Sequence, residues 1–131
     1  MVRKILMIDD DANIVRVVGS RLKANGYDFI SAATGAEGID RAKAEQPDLI
    51  IMDITMPGMS GYEAIGRLKQ DDQTKAIPVV MLSARHDIED IVKSMSDSCG
   101  AVDFCPKPFT AAELLLKIDR ALRIFGKEGG G

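Results

Sequence analysis

The chain has 131 residues, enough for one domain with a full hydrophobic core and too few for two ordinary domains. Hydrophobic residues make up 46% of it and charged residues 28%, a balance typical of a soluble globular protein. The net charge of −3 argues against binding nucleic acid through a basic surface, and no apolar segment approaches the ~18 residues of a membrane span. We therefore expect neither direct nucleic-acid binding nor membrane insertion.

The cysteines and the N-terminus predict a cytoplasmic protein. Cys99 and Cys105 form no CxxC pair, and His86 is the single histidine, so a zinc site is not expected. Both thiols are predicted to be reduced and packed as small hydrophobic side chains. The first four residues lead directly into a predicted strand and do not form a signal peptide.

Short apolar strands and amphipathic helices alternate five times along the chain. The strands are predicted at residues 4–8, 27–33, 48–53, 77–82 and 101–105. Helices follow each of them, and three begin at capping-box pairs, which are Thr34 and Glu37, Ser60 and Glu63, and Thr110 and Glu113. Five such units with short connections predict a doubly wound parallel sheet, an α/β fold with helices on both faces.

The helix patterns also predict which side chains are buried. The first helix ends at Asn25-Gly26 and the fourth spans Ile88 to Met95. The faces predicted to be buried are Ile14, Val17, Val18 and Leu22 in the first helix and Leu114, Ile118, Ala121, Leu122 and Phe125 in the last. Neither GxGxxG nor GxxxxGK[ST] follows the first strand, so a dinucleotide or P-loop site is not expected.

Polar side chains follow four of the predicted strands. Asp9 and Asp10 follow the first, Asp53 ends the third, Ser83 follows the fourth and Lys107 the fifth. Taken singly, such residues could be ordinary polar strand ends, or Asp10 or Asp11 could simply cap the first helix. Because the carboxyl ends of parallel strands share one edge of the sheet, where open α/β folds bind ligands, we expect these five to meet there.

The chemistry of this group points to phosphoryl transfer. Two carboxylates about 4 Å apart repel by roughly 4 kcal/mol at an effective dielectric constant near 20, so three of them need a cation. Oxygen ligands without histidine or cysteine suit Mg²⁺. A carboxylate beside Mg²⁺ and a lysine can attack phosphorus and become an acyl phosphate. Ser83 could hydrogen-bond a phosphoryl oxygen.

Four stretches carry a resemblance to a known family. They are Ile8-Asp9-Asp10-Asp11, the segment from Asp48 to Gly61 (DLIIMDITMPGMSG), Met81-Leu82-Ser83-Ala84 and Lys107-Pro108-Phe109. With these motifs the chain resembles the receiver domain of bacterial two-component response regulators, including chemotaxis receivers, over nearly its whole length. The resemblance implies a flavodoxin-like sheet of order 2-1-3-4-5 and a receiver domain over residues 1–125. The polar, Gly-rich composition of residues 126–131 predicts a disordered tail.

The resemblance also implies the function and its residues. Asp53 would be the phosphoacceptor, receiving its phosphoryl group from the phosphohistidine of a histidine kinase or phosphotransfer protein. Mg²⁺ would be held by Asp9, Asp10, Asp53 and the backbone carbonyl of Thr55. The remaining roles implied are phosphoryl contacts at Ser83, Ala84 and Lys107, a cis Lys107–Pro108 peptide, a switch pair of Ser83 and Phe104, and tuning of the acyl-phosphate lifetime by Thr55 and Arg85.

The implied protein is a switch that catalyses its own phosphorylation and dephosphorylation, and it is not an enzyme acting on other molecules. Phosphorylation would alter the face formed by the fourth and fifth helices and the fifth strand, to which a downstream protein would bind. Because only six residues follow the last predicted helix, we expect no attached output module.

Three alternatives remain. The chain could be a receiver fragment of a longer regulator or hybrid kinase. It could be a degenerate receiver that only binds proteins. It could also be a phosphatase of the haloacid dehalogenase type, in which Asp9 would be the nucleophile and Asp11 the acid; that type also wants a late acidic pair, which Asp103 alone does not supply.

Overall fold

The computed structural model of the chain describes residues 2–84 and 100–126. Its five strands form one parallel sheet in the order β2-β1-β3-β4-β5, which confirms the doubly wound, flavodoxin-like order implied by the sequence. The strands are β1 (Lys4–Ile8), β2 (Asp28–Ala32), β3 (Leu49–Asp53), β4 (Val79–Ala84) and β5 (Asp103–Lys107).

Helices of the described part cover both faces of the sheet. They are α1 (Ala12–Ala24), α2 (Gly35–Glu45), α3 (Gly61–Gln70) and the C-terminal helix (Ala111–Phe125). The predicted fourth helix, Arg85, Cys99 and the tail after Gly126 lie outside the described residues. Within residues 2–84 and 100–126, no helix has the length and apolar character needed to cross a membrane.

Alternate side chains of the central strands enter two hydrophobic cores. On one face, Leu6, Ile50 and Met81 pack with residues of α2 and α3. On the other, residues such as Ile51 and Leu82 pack with α1 and the C-terminal helix. All five residues of β3 are buried, as expected for the middle strand of a sheet covered on both faces, and this strand delivers Asp53 to the carboxyl edge.

Side-chain caps begin the helices where the sequence predicts them. The hydroxyl groups of Thr34, Ser60 and Thr110 accept hydrogen bonds from backbone N–H groups three residues later. Asp11 caps α1 by accepting from the N–H groups of Asn13 and Ile14. The sequence left open whether Asp10 or Asp11 caps this helix, and the structure shows that it is Asp11.

The ends of β4 and β5 differ from the prediction. Both strands begin and end two residues later than expected, so Ser83 and Lys107 lie within strands and do not follow them. The pairing of Ser83 with Pro106 and of Ala84 with Lys107 extends the ladder. Pro106 had marked the predicted strand end, but a proline is tolerated in an edge strand, and β5 is the edge here.

Two side chains predicted to be buried are exposed. Val17 is 61% exposed because α1 packs through the adjacent stripe of Val18 and Leu22. Phe125 is 51% exposed because it is the last residue of its helix, beyond the final buried turn formed by Ala121 and Leu122.

Candidate functional site

Three carboxylates lie together at the carboxyl edge of the sheet. Asp9 follows β1 and Asp53 ends β3, and these two strands are neighbours. One carboxylate oxygen from each of Asp9, Asp10 and Asp53 lies within 4.8 Å of the others. Asp9 and Asp53 are buried, whereas Asp10 is exposed at the rim. The cluster therefore has a buried wall of two carboxylates and one carboxylate facing solvent.

Lys107 supplies the positive charge at this site. Its Nζ lies 3.3 Å from Oδ1 of Asp53 and 3.6 Å from Oδ2 of Asp9. The lysine stands at the end of β5, two strands away from β3 in the sheet, and its long side chain spans that distance. The following peptide, Lys107–Pro108, is cis, which confirms that expectation.

The environment of Asp53 makes its negative charge costly. Burial, and after it the nearby charge of Asp9, raises the pKa of Asp53 to about 6. The ammonium of Lys107 and the backbone N–H of Thr55, which lies 3.4 Å from Oδ1, act in the opposite direction. The carboxylate is thus only partly neutralised by the protein and would gain from a further cation.

One buried oxygen of the cluster has no hydrogen bond. Oδ1 of Asp9 accepts from the N–H of Asp11 at 2.9 Å, but Oδ2 has no hydrogen-bond partner in the described part of the chain. A buried acceptor left in this state costs free energy that a bound ion would recover. Because the donor set consists of carboxylate oxygens with an open, exposed side at Asp10, the residues fit a hard cation such as Mg²⁺.

The predicted switch residues lie on β4, the neighbour of β3, and on β5, the strand beyond it. Leu82 is the β4 partner of Asp53, so Ser83 and Ala84 continue the sheet just past Asp53. Ser83 is fully buried and its Oγ has no hydrogen-bond partner among the described residues. Phe104 is half-buried and packs against the core cluster on the α2 and α3 face. Thr55 is exposed in the loop after β3.

Two features of the site were missed by sequence reasoning. The N–H of Gly61 donates to the carbonyl of Ile54 at 2.8 Å, which places the start of α3 against the end of β3. The second feature is an apolar groove of about 510 Å³ beside Lys107, lined chiefly by Ile14, Val17 and Phe109. The sequence held no signal for the groove, because periodicity assigned Val17 to the buried face of α1; for the contact of Gly61 the only signal was a glycine next to a capping serine.

A family model described as the response regulator receiver domain matches residues 5–119. The chain is 36% identical to the alkaline phosphatase synthesis transcriptional regulatory protein PhoP of Bacillus subtilis, with 94% of this chain and 50% of that protein covered. It is 37% identical to the phosphate regulon transcriptional regulatory protein PhoB of Escherichia coli, with 94% and 53% covered. The chain therefore spans about half the length of these curated relatives.

Solved structures agree with the sequence relatives. The chemotaxis response regulator CheY4 of Vibrio cholerae superposes with a TM-score of 0.85 at 32% identity, with 93% of this chain and all of that chain (100%) covered. The receiver domain of NtrX from Brucella abortus gives a TM-score of 0.83 at 31% identity, with 92% and 98% covered.

Proposed function

Since the chain belongs to the response regulator receiver domain family of two-component signalling, we propose that it is a switch that accepts a phosphoryl group on Asp53 with the help of Mg²⁺. The observation that carries this proposal is the contact of the Lys107 ammonium with both buried carboxylates, Asp53 at 3.3 Å and Asp9 at 3.6 Å. We take residues 1–125 as the receiver domain. The family match does not support the phosphatase alternative with Asp9 as nucleophile.

In the proposed step, a carboxylate oxygen of Asp53 attacks the phosphorus of a phosphohistidine. The phosphorus–nitrogen bond breaks, its electron pair stays with the imidazole nitrogen of the donor, and Asp53 becomes an acyl phosphate. When bound, Mg²⁺ would neutralise the charge on the phosphoryl oxygens and hold them in line with the attack. Asp9, Asp10, Asp53 and the carbonyl of Thr55 would hold the metal.

The protein's own groups would position and then report the phosphoryl group. Lys107 would pair with one phosphoryl oxygen, and Ser83 and Ala84 would contact another. The Oγ of Ser83 is buried without a hydrogen-bond partner in the described part of the chain, so it has a donor free to move toward the phosphoryl group. Such a movement would leave room for the half-buried ring of Phe104 to turn inward and change the surface around β5.

The acyl-phosphate lifetime would depend on the side chains that limit water access. Thr55 is exposed next to the phosphoacceptor. We propose that Thr55 and Arg85 tune this lifetime. Opposite changes in hydrolysis rate on shortening and lengthening the side chain at position 55 would support this role.

The apolar groove beside Lys107 suits the phosphodonor protein. Its lining combines Lys107 and Pro108 with Ile14 and Val17 of α1, so an apolar segment docked there would lie beside the lysine that contacts Asp53. We propose that a histidine kinase or phosphotransfer protein docks here. The relatives are named transcriptional regulators and are about twice as long, so we assign only the receiver step to the residues of this chain and leave the output to a downstream partner or domain.

The test is phosphorylation by a small donor. The chain is incubated with Mg²⁺ and acetyl phosphate, and its intact mass is measured. We expect an adduct of about 80 Da, the mass of a phosphoryl group, in the wild type and in the control Asp72→Asn, and none in Asp53→Asn. Asp72 is a suitable control because its exposed carboxylate pairs only with Lys75 in the described part of the chain.

Two results would contradict the proposal. An adduct that survives Asp53→Asn and disappears in Asp9→Asn would make Asp9 the nucleophile. Absence of any adduct in the wild type would favour a degenerate receiver that only binds proteins.

A further inference from the structure

Gly61, the first residue of α3, lies against the backbone of the phosphoacceptor. Its N–H donates to the carbonyl of Ile54 at 2.8 Å. A Cβ atom added at Gly61 would contact the carbonyl oxygen of Asp53 and would lie 2.7 Å from Cα of Ile54 and 3.1 Å from the carbonyl carbon of Asp53. All three are backbone atoms, so none of them can turn aside as a flexible side chain could.

The requirement at Gly61 is for space and not for an unusual conformation. The φ angle of Gly61 is not positive, unlike that of Gly58 in the loop before α3. At Gly58 a Cβ would meet no described atom within 4 Å, so that position needs glycine for its φ of 79°. At Gly61 the φ would suit other residues, and the obstacle is the end of β3.

The backbone segment that would have to move carries the proposed chemistry. Ile54 is tied to β4 by its N–H, which donates to the carbonyl of Leu82 at 3.0 Å. Asp53 Oδ1 is held between the N–H of Thr55 at 3.4 Å and Nζ of Lys107 at 3.3 Å. A shift of a few tenths of an ångström at Asp53 and Ile54 therefore changes both the acceptor carboxylate and the Thr55 carbonyl.

We propose that Gly61 is a positioning residue for phosphoryl acceptance: the missing side chain lets α3 start directly on the backbone of Asp53 and sets the distance between Asp53, Lys107 and the metal ligands. This inference rests on the proposed function. Gly61 acts through the backbone of Asp53 and does not touch the phosphoryl group itself.

The test compares Gly61→Ala with Gly66→Ala. Both glycines lie in α3, but a Cβ at Gly66 meets no described atom within 4 Å. The Kd for Mg²⁺ is measured by calorimetric titration, and the rate of phosphorylation by acetyl phosphate is measured at saturating Mg²⁺. For Gly61→Ala we expect a Kd raised by about tenfold, or a rate lowered by about tenfold, as for groups that hold metal ligands in place. Gly66→Ala should match the wild type in both.

Thermal unfolding separates positioning from a general loss of fold. If Gly61→Ala is folded and has wild-type Mg²⁺ affinity and rate, the proposal is wrong. If it is poorly folded, the double variant Gly61→Ala/Gly66→Ala is compared with Gly66→Ala, because alanine at 66 strengthens the same helix. A double variant that remains unfolded would assign Gly61 to folding and would also overturn the proposal.

The two proposals can fail separately. If the wild type takes no phosphoryl group on Asp53, the proposed function fails. The Mg²⁺ titration still reports whether Gly61 positions the carboxylates, because it needs no phosphoryl transfer.

Discussion

Asp53 is a carboxylate whose surroundings favour its neutral form. Burial and the nearby Asp9 raise its pKa to about 6 from an ordinary value of 3.8, and the contact with Lys107 only partly offsets them. The same features that would make it responsive to a cation or a phosphoryl group also cost folding free energy when it is charged. Under the proposed function, stability and phosphoryl acceptance would therefore oppose each other at this site.

This opposition predicts a pH-dependent gain in stability for Asp53→Asn in the absence of metal. Because the pKa of Asp53 is raised in the folded state, its neutral, protonated form carries no penalty below about pH 4. The folded chain loses stability as the pH rises through about 6 and Asp53 becomes charged. Removing the charge should raise the free energy of unfolding at pH 7.5 by about 1–2 kcal/mol, an amount reduced by the lost contact with Lys107. The difference between variant and wild type should shrink toward zero at pH 4.

Urea unfolding in a chelating buffer at these two pH values measures the effect. Asp72→Asn, which changes an exposed carboxylate, serves as the control and should show no such trend. A gain for Asp53→Asn that is equal at both pH values would mean that titration of Asp53 is not its source.

Lys107 is predicted to matter for both stability and phosphorylation. In Lys107→Ala the buried carboxylates of Asp9 and Asp53 lose the positive charge they share, so the free energy of unfolding should fall by about 1–3 kcal/mol without metal. The rate of phosphorylation by acetyl phosphate should fall by about tenfold or more, because a phosphoryl oxygen loses its charged partner.

Lys117 provides a matched control for that prediction. Its Nζ lies 3.2 Å from Oδ1 of Asp103, and both side chains are more exposed than the carboxylates of Asp9 and Asp53. Lys117→Ala should cost less than about 1 kcal/mol and leave the phosphorylation rate unchanged. Equal effects of the two substitutions on the rate would remove Lys107 from the proposed role.

At the level of elements, the sequence predicts where the central strand β3 ends better than it predicts where β4 and β5 end. The end of β3 at Asp53 is clear because a continuous apolar run stops there and a Pro-Gly segment follows. The ends of β4 and β5 are not, because Ser83, Pro106 and Lys107 are residue types that usually follow strands. Pairing between these two neighbouring strands carries the ladder over them.

The same limit applies to the helices and to the site. Helical periodicity identifies the apolar side of α1, but not that the adjacent elements leave Val17 exposed. The meeting of Asp9, Asp10 and Asp53 follows from strand order, and the sequence predicts it. The contact of Lys107 with two carboxylates depends on how far its side chain reaches across the sheet. The place of Gly61 against Asp53 depends on the path of the loop between β3 and α3. The sequence predicts that Lys107 comes to the carboxylates, but it predicts neither its simultaneous contact with two of them nor the place of Gly61.

Close packing of α2 on the sheet predicts the effect of Gly38→Ala. A Cβ at Gly38 would lie 2.6 Å from Cγ1 and 3.1 Å from Cγ2 of Ile8, whose side chain is fully buried in the core. The substitution should lower the free energy of unfolding by about 1–3 kcal/mol through overpacking. In α3, Gly66→Ala should instead raise it by about 0.5–1 kcal/mol, because alanine favours a helix more than glycine does and the new methyl group meets no described atom within 4 Å.

Urea unfolding of both variants measures these opposite signs in one experiment. A gain in stability for Gly38→Ala would show that α2 can move away from β1 without cost.

For the whole molecule, we expect metal binding to be coupled to folding. The three carboxylates are brought within 4.8 Å only in the folded chain, so Mg²⁺ should bind the folded state in strong preference to the unfolded one. At a concentration ten times the measured Kd, Mg²⁺ should then raise the free energy of unfolding by about 1.4 kcal/mol. The increment is measured by urea unfolding with and without a chelator.

Asp10 and Asp11 test which aspartates produce this coupling. Asp10→Asn removes a carboxylate of the cluster and should raise the Kd for Mg²⁺ by about tenfold, so that the increment at the same Mg²⁺ concentration falls to about 0.4 kcal/mol. Asp11 contributes a helix cap through its side chain and a hydrogen bond to Asp9 through its backbone N–H. Asparagine caps helices as well as aspartate and keeps that N–H, so Asp11→Asn should retain nearly the full increment. Equal losses in the two variants would mean that the cation is held by the summed negative charge of the strand end, and not by a defined set of ligands.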